Sequence, residues 1–157
     1  MSKSLRRVTA ALDAAGLDAR PVEMSDQTRT AAEAAAAVSC ELDQIAKSIL
    51  FGQGDGCALF LTAGGNQVDP DRAASLAGGP LTRADAATVR RVTGFAIGGV
   101  SPVGLISDVP IWMDARLLAF GTVWAAAGTP RHVFPVAPAE LQRITGAQVA
   151  EFTTSGE

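Results

Sequence analysis

The sequence is poor in the residues that most often carry metal, disulfide or membrane chemistry. It has one histidine, His132, two cysteines, Cys40 and Cys57, and no stretch approaching about 18 consecutive strongly apolar residues. Two separated cysteines are not the dense, even framework of a small secreted domain, and with a single histidine they offer no zinc-ligand spacing. A carboxylate-only metal site has no motif either, so no metal and no cofactor are expected. Charged residues make up only 18% of the 157, and the net charge of -3 argues against a broad basic face of the kind that grips DNA through its phosphates. The opening Met1-Ser2-Lys3-Ser4-Leu5-Arg6-Arg7 is basic but runs into an amphipathic pattern, not an uninterrupted apolar stretch with a cleavage site. A membrane-free, reducing cytoplasmic setting is the expectation.

What is present is a chain with 48% apolar residues, much of it alanine, and a length suited to one domain over 1–157. A domain of this size buries roughly two-thirds of its unfolded surface. Leu5, Val8, Leu12 and Ala15 fall at helical spacing, with Ser4 as the N-cap and Gly16 as the stop. Pro21 to Met24 reads as a short strand, and Thr28 or Thr30 caps an alanine-rich helix ending at Val38, Thr30 and Glu33 having capping-box spacing. A turn over 41–46 leads into a hairpin whose strands are Ile49-Leu50-Phe51 and Cys57 to Leu61. Helices are predicted after Asp69-Pro70, over Thr82 to Val92 and over Pro138 to Ile144, and short strands over 95–97, 104–106, 110–113, 122–126 and 132–136. Strands and helices mix without a βαβ rhythm, so the fold class is α+β with a mixed, curved sheet.

Two segments stand out chemically. In Ile97-Gly98-Gly99-Val100-Ser101-Pro102-Val103-Gly104-Leu105, three glycines, a proline and a hydroxyl occur without a charge. Such a turn brings backbone close to a ligand, and its successive N–H groups can form an anion-binding concavity; a plain packing loop between strands is the alternative. In Ile45-Ala46-Lys47-Ser48-Ile49-Leu50-Phe51, one cation lies inside an apolar run at the start of a strand. The structural explanation there is a lysine whose stem follows the core edge while its ammonium reaches water. Gly52-x-Gly54-x-Gly56 lacks the Gly-Lys-Ser/Thr ending of a phosphate loop, and Cys57 reads as inert core.

Taken in order, Arg29-Thr30-Ala31-Ala32-Glu33, Ile45 to Phe51, Gln67-Val68-Asp69, Thr93-Gly94-Phe95, Gly98 to Pro102, Pro110 to Asp114, Ala127-Gly128-Thr129-Pro130 and Leu141 to Ala147 resemble the YbaK-type aminoacyl-tRNA editing domains. That family includes free-standing deacylases and the insertion domain of bacterial prolyl-tRNA synthetases. The resemblance implies a small mixed β-barrel flanked by helices. It implies that Lys47 is the residue most tied to activity and that the Gly98–Pro102 element holds the aminoacyl ester. On this basis Lys47, Gly98, Gly99 and Ser101 are the catalytic candidates, and Thr30, Val100, Pro102, Ala126, Gly128 and Thr129 the substrate-binding ones. Some alanine-specific members carry a histidine near the strand that here reads Val123-Trp124-Ala125-Ala126-Ala127. Its absence turns the expected substrate towards Cys-tRNA(Pro) or another small-residue aminoacyl-tRNA.

The implied partners are the 3′ CCA end of a mischarged tRNA and prolyl-tRNA synthetase. Arg29, Lys47, Arg131 and Arg143 are the cations that a local RNA patch would need the fold to gather. An aminoacyl ester is already labile, so placement, water and an oxyanion-stabilising turn suffice, and no serine triad is required. Ser101 has no Gly-x-Ser-x-Gly elbow around it. Two other readings stay open: a non-catalytic tRNA- or synthetase-binding module of the same fold, and a hydrolase of some other small acyl ester. Trp112 and Trp124 mark either core packing or a contact surface.

Overall fold

Two apolar runs that face each other across Gly54 organise the molecule. In the computed structural model, which describes residues 2–25 and 28–155, the elements in chain order are α1 (Lys3–Ala14), β1 (Val22–Glu23), α2 (Ala31–Val38), a 3-10 turn (Leu42–Gln44), β2 (Ile45–Gln53), β3 (Gly56–Ala63), β4 (Asn66–Val68), α3 (Pro70–Ala77), β5 (Thr82–Arg83), α4 (Ala86–Thr93), β6 (Ile111–Asp114), a second 3-10 turn (Ala115–Ala119), β7 (Val123–Ala126), β8 (His132–Val136), α5 (Pro138–Thr145), β9 (Gln148–Ala150) and β10 (Thr153–Ser155). β2 and β3 pair antiparallel from Ala46 opposite Ala63 to Gln53 opposite Gly56. Around them the sheet runs β1-β8-β7-β2-β3-β6-β9, with β5 added to β2. The β2–β7, β3–β6 and β6–β9 pairs are parallel, and β1–β8 and β7–β8 antiparallel, so the sheet is mixed. β4 and β10 form a separate ribbon.

β3 is buried on both faces, as a central strand should be. On one face Leu59 and Leu61 meet Val8 and Leu12 of α1, Val89 of α4, Met113 and Phe134. On the other, Phe60 stacks on Trp112 at 5.0 Å between ring centres and takes Phe152 edge-on at 5.0 Å, so Trp112 is core. A small third cluster, Met24, Ala34, Ala35, Ile45 and Val133, seats α2 against β2 and β8. This cluster fixes the entry of Lys47 relative to Thr30.

Several helix signals are where residue chemistry puts them. The Glu33 amide donates to Thr30 Oγ1 at 3.1 Å, Asp69 caps α3 with Pro70 in its first turn, and Gly94 and Gly146 end α4 and α5 in the left-handed conformation. Other details differ from the sequence-based reading. Ser2, not Ser4, caps α1, accepting from the Leu5 amide at 3.1 Å. The helix expected from Thr82 starts only at Ala86, because Asp85 accepts from the Thr88 amide at 2.8 Å and Thr82–Arg83 are drawn off to pair with Gly52 and Phe51 of β2.

The expected strands over 95–97 and 104–106 are loops. Arg7 explains why: its Nε donates to the Gly104 carbonyl at 2.6 Å, its Nη2 donates to the Gly94 carbonyl at 2.8 Å, and its guanidinium lies 4.4 Å from the centre of the Phe95 ring. Carbonyls spent on α1 are lost to a β-ladder. Among the described residues no helix is long and apolar enough to cross a membrane.

Candidate functional site

Lys47 is the third residue of β2, opposite Thr62 of β3. Its ammonium does not reach out to bulk water: Nζ donates to the Asn66 carbonyl at 2.6 Å, and the side chain is half-buried. Asn66 is held from below by its amide Nδ2, which donates to Asp114 Oδ2 at 2.9 Å. The same carboxylate, at the end of β6 and buried, accepts from the Ala63 amide at 3.0 Å and, through Oδ1, from the Arg116 amide at 3.0 Å. Asp43 braces the neighbouring turn by accepting from the Gly65 amide at 2.8 Å. Burial pushes the Lys47 pKa below its usual value, and the negative charges of Asp114 and Asp43 pull in the opposite direction.

The Gly98 loop is shaped by two close approaches. Gly98 has φ +91° and open space where a side chain would project, so its conformation, not crowding, calls for glycine. At Gly99 the reverse holds, since a Cβ would lie 3.1 Å from the Gly128 carbonyl oxygen and 3.1 Å from Thr129 Cα. The Gly99 amide donates to the Ala96 carbonyl at 3.0 Å and is spent in the turn. Ser101 is fully buried, with its Oγ accepting from the Val103 amide at 3.2 Å. That hydroxyl shapes the loop, and Ser101 is not part of the Lys47 cavity lining; Pro102 is buried beside it.

One cavity of about 260 Å³ gathers Lys47, Gly98, Thr30, Ala126, Thr129 and His132. A second, of about 220 Å³, shares Ser48, Gly98 and Ala126 with it and adds Leu50, Val89 and Val100. Of the candidates from the sequence, Lys47, Gly98, Thr30, Ala126 and Thr129 therefore come together, Val100 lies in the adjoining space, Gly99, Ser101 and Gly128 line neither cavity, and Pro102 lines a separate pocket with Ala11, Ala15 and Ile144. Thr30 is already committed, because its hydroxyl accepts from the Glu33 amide and donates to Glu33 Oε1 at 3.2 Å. Trp124 is half-buried and lines the Lys47 cavity. Among the four cations, Arg29 lines that cavity and Arg131 an adjoining groove, whereas Arg143 pairs with Glu140 on α5, well apart from both.

Sequence reasoning did not single out four residues that now matter. His132 enters the cavity wall with its Nδ1 2.7 Å from Thr129 Oγ1, and the Arg131 amide donates to that same hydroxyl at 3.1 Å. Ser48 lines both cavities, and among the described residues its buried Oγ has no hydrogen-bond partner. Asn66 and Asp114 support Lys47. The three-residue spacing of Thr129 and His132 around Pro130 was the available signal for the first.

In chemical terms the cavity offers a held ammonium, a glycine backbone free of side chain, the hydroxyls of Thr28, Thr30, Ser48 and Thr129, and an imidazole. It holds no cysteine; the Cys57 thiol is buried in the core, where burial pushes its pKa up. Among the described residues no three of His, Cys, Asp and Glu are grouped as metal ligands. The Gly52-to-Gly56 stretch is the β2–β3 hairpin turn.

Comparison with known proteins bears on the same residues. The model of the aminoacyl-tRNA editing domain matches residues 25–144. YwhH of Bacillus subtilis (strain 168), an uncharacterized protein, is 31% identical over 128 residues, covering 81% of this chain and 82% of its own. A crystal structure of a proposed trans-editing enzyme for prolyl tRNA synthetase superimposes with a TM-score of 0.92 at 47% identity, over 99% of both chains. The hypothetical protein APE2540 superimposes with a TM-score of 0.85 at 31% identity, over 94% of this chain and 99% of its own.

Proposed function

The chain belongs to the aminoacyl-tRNA editing domain family, and we propose that, as a single domain over its whole length, it is a trans-acting deacylase. It hydrolyses the ester that joins a small amino acid, with cysteine on tRNA(Pro) foremost, to the terminal ribose of a mischarged tRNA. The observation that carries this reading is the meeting of Lys47 and Gly98, from distant parts of the chain, in one cavity of about 260 Å³. That meeting sets a cation beside a glycine backbone that carries no side chain, the pair of groups that holding an ester and its developing negative charge calls for. The similarity to a proposed trans-editing enzyme for prolyl tRNA synthetase supports prolyl-tRNA synthetase as a partner, and a partner that charges tRNA would put the work in the cytoplasm.

Water attacks the acyl carbon, the carbonyl oxygen takes up negative charge, and the ester C–O bond then breaks with the ribose oxygen taking a proton. The Gly98 amide is suited to receive the oxyanion, because a glycine leaves room for the acyl group to lie against the backbone. Lys47, as a protonated ammonium, cannot abstract the proton of the attacking water. It adds positive potential where negative charge develops and holds the terminal ribose. The general base is a group that the substrate itself brings.

The test is incubation of the purified protein with Cys-, Ala-, Ser- and Thr-charged tRNAs, following loss of the ester with Lys47→Ala in parallel. Hydrolysis that vanishes in the variant supports the deacylase and names its substrate. Folded protein that hydrolyses none of the four overturns it in favour of a binding module.

A further inference from the structure

Thr129, Pro130 and His132 have a second face. Besides the Lys47 cavity they line a groove of about 600 Å³, lined also by Leu5 of α1 and by Glu23, which stands opposite His132 in the β1–β8 pairing. Its volume suits a nucleotide-sized ligand. Arg131 lines it with an exposed guanidinium. Among the described residues, Arg20, Arg72, Arg116 and Arg143 each pair with a carboxylate, but Arg131 does not, and its Nη2 reaches only the Ser25 carbonyl at 3.4 Å. Arg29, on the wall of the Lys47 cavity, has no carboxylate partner among the described residues either. In a chain of net charge -3, cations without a carboxylate partner on two cavities that share the Thr129–His132 wall favour a polyanion there.

We infer that this groove holds the 3′-terminal nucleotides of the tRNA while the esterified amino acid passes the Thr129–His132 wall into the Lys47 cavity; the inference rests on the deacylase reading of that cavity. Each wall has a matching part of a nucleotide. Arg131 takes a phosphate, the side chains of Leu5 and Pro130 give a base an apolar face, and the Glu23 carboxylate accepts from ribose hydroxyls or an exocyclic amine. His132 stands at the junction, where the terminal ribose carries the ester.

The experiment measures fluorescence anisotropy of an RNA hairpin ending in single-stranded CCA, and of the same hairpin without CCA, against wild-type protein and Arg131→Gln over a salt series. The expected result is that Arg131→Gln weakens binding of the CCA-ended RNA about two- to fivefold, the weight of one exposed charge contact. Its salt slope falls by about 0.7, as for one single-strand phosphate, and the blunt hairpin is unaffected. Equal affinity and slope in variant and wild type, or equal weakening with both RNAs, overturns the groove. Hydrolysis of charged tRNA is read separately. If the CCA-dependent loss appears while wild type hydrolyses nothing, the groove stands and the deacylase falls; if wild type hydrolyses and the variant binds and hydrolyses as well as it does, the groove falls and the deacylase stands.

Discussion

Lys47 Nζ donates to the main-chain carbonyl of Asn66 across 2.6 Å, so the ammonium is tethered to backbone and not to a carboxylate. A carboxylate in that place would neutralise the charge it held. The carbonyl fixes the ammonium's position through one of its three protons and leaves the charge and the other two for a ligand. The nearby negative groups, Asp114 and Asp43, are engaged with backbone amides and with Asn66 and Arg116 side chains.

The tether sits in a half-buried place, and burial disfavours the charged amine, so Lys47 loses its proton at a lower pH than an ordinary lysine. Lys3 and Lys47 are the chain's lysines, which makes a ¹³C-lysine NMR titration readable residue by residue. The Lys47 signal is expected to titrate below the usual lysine value, and further below in Asp114→Asn, where an opposing negative charge is gone. Activity that depends on the ammonium then falls on the alkaline side earlier than free lysine would. A Lys47 titration at or above the usual value sinks this account.

Gly98→Ala and Gly99→Ala should separate strain from crowding. Gly98→Ala places a Cβ in open space at φ +91° and should cost about 1–2 kcal/mol through conformation alone. Gly99→Ala drives a methyl into the Gly128 carbonyl and Thr129 Cα, and should cost about 1–3 kcal/mol while parting the two loops that wall the cavity. Urea midpoints give the stabilities; KM against kcat for charged tRNA shows whether Gly99→Ala harms substrate placement.

Asp114→Ala leaves the Ala63 and Arg116 amides and the Asn66 side chain without their acceptor. Each buried donor left unpaired costs about 1–3 kcal/mol, so a loss of about 2 kcal/mol or more in denaturant unfolding is expected. The same variant should lose hydrolysis, because Asn66 no longer holds Lys47. Full activity in a destabilised protein would show that the Asn66 tether is dispensable.

Ala126 is common to both cavities, so Ala126→Val narrows the space where they join. A methylene-scale change in a tight pocket discriminates about tenfold or more, and the expected outcome is a lower kcat/KM for cysteine-charged than for alanine-charged tRNA, relative to wild type. An unchanged ratio would place the amino-acid side chain elsewhere.

The hairpin that delivers Lys47, the Thr30 cap and the start of α3 at Asp69-Pro70 were legible because each depends on residues within a few positions of one another. The loops at 95–97 and 104–106 were not, since what denies them strand pairing is the side chain of Arg7, far away in sequence. β4, β9 and β10 are three residues each, too short for alternation to register. At the site, residue type pointed to Lys47 and Gly98, but burial separated Ser101 from them. Nothing in Ser101-Pro102-Val103 announces that the hydroxyl would turn back onto its own backbone. His132 was legible as a residue but not as a neighbour of Lys47, because β8 and β2 are brought near each other only through β7.

The residues that match the family model begin at 25, after α1 has ended. Yet α1 supplies the Arg7 clamp on Gly94 and Gly104, and a Cβ on Gly128 would come within 3.0 Å of the Ser4 carbonyl oxygen. The leading helix is therefore a buckle. It fastens both glycine loops from outside the segment that the family model matches, so a protein trimmed to residues 25–144 would retain every reactive group and lose the part that keeps them in register.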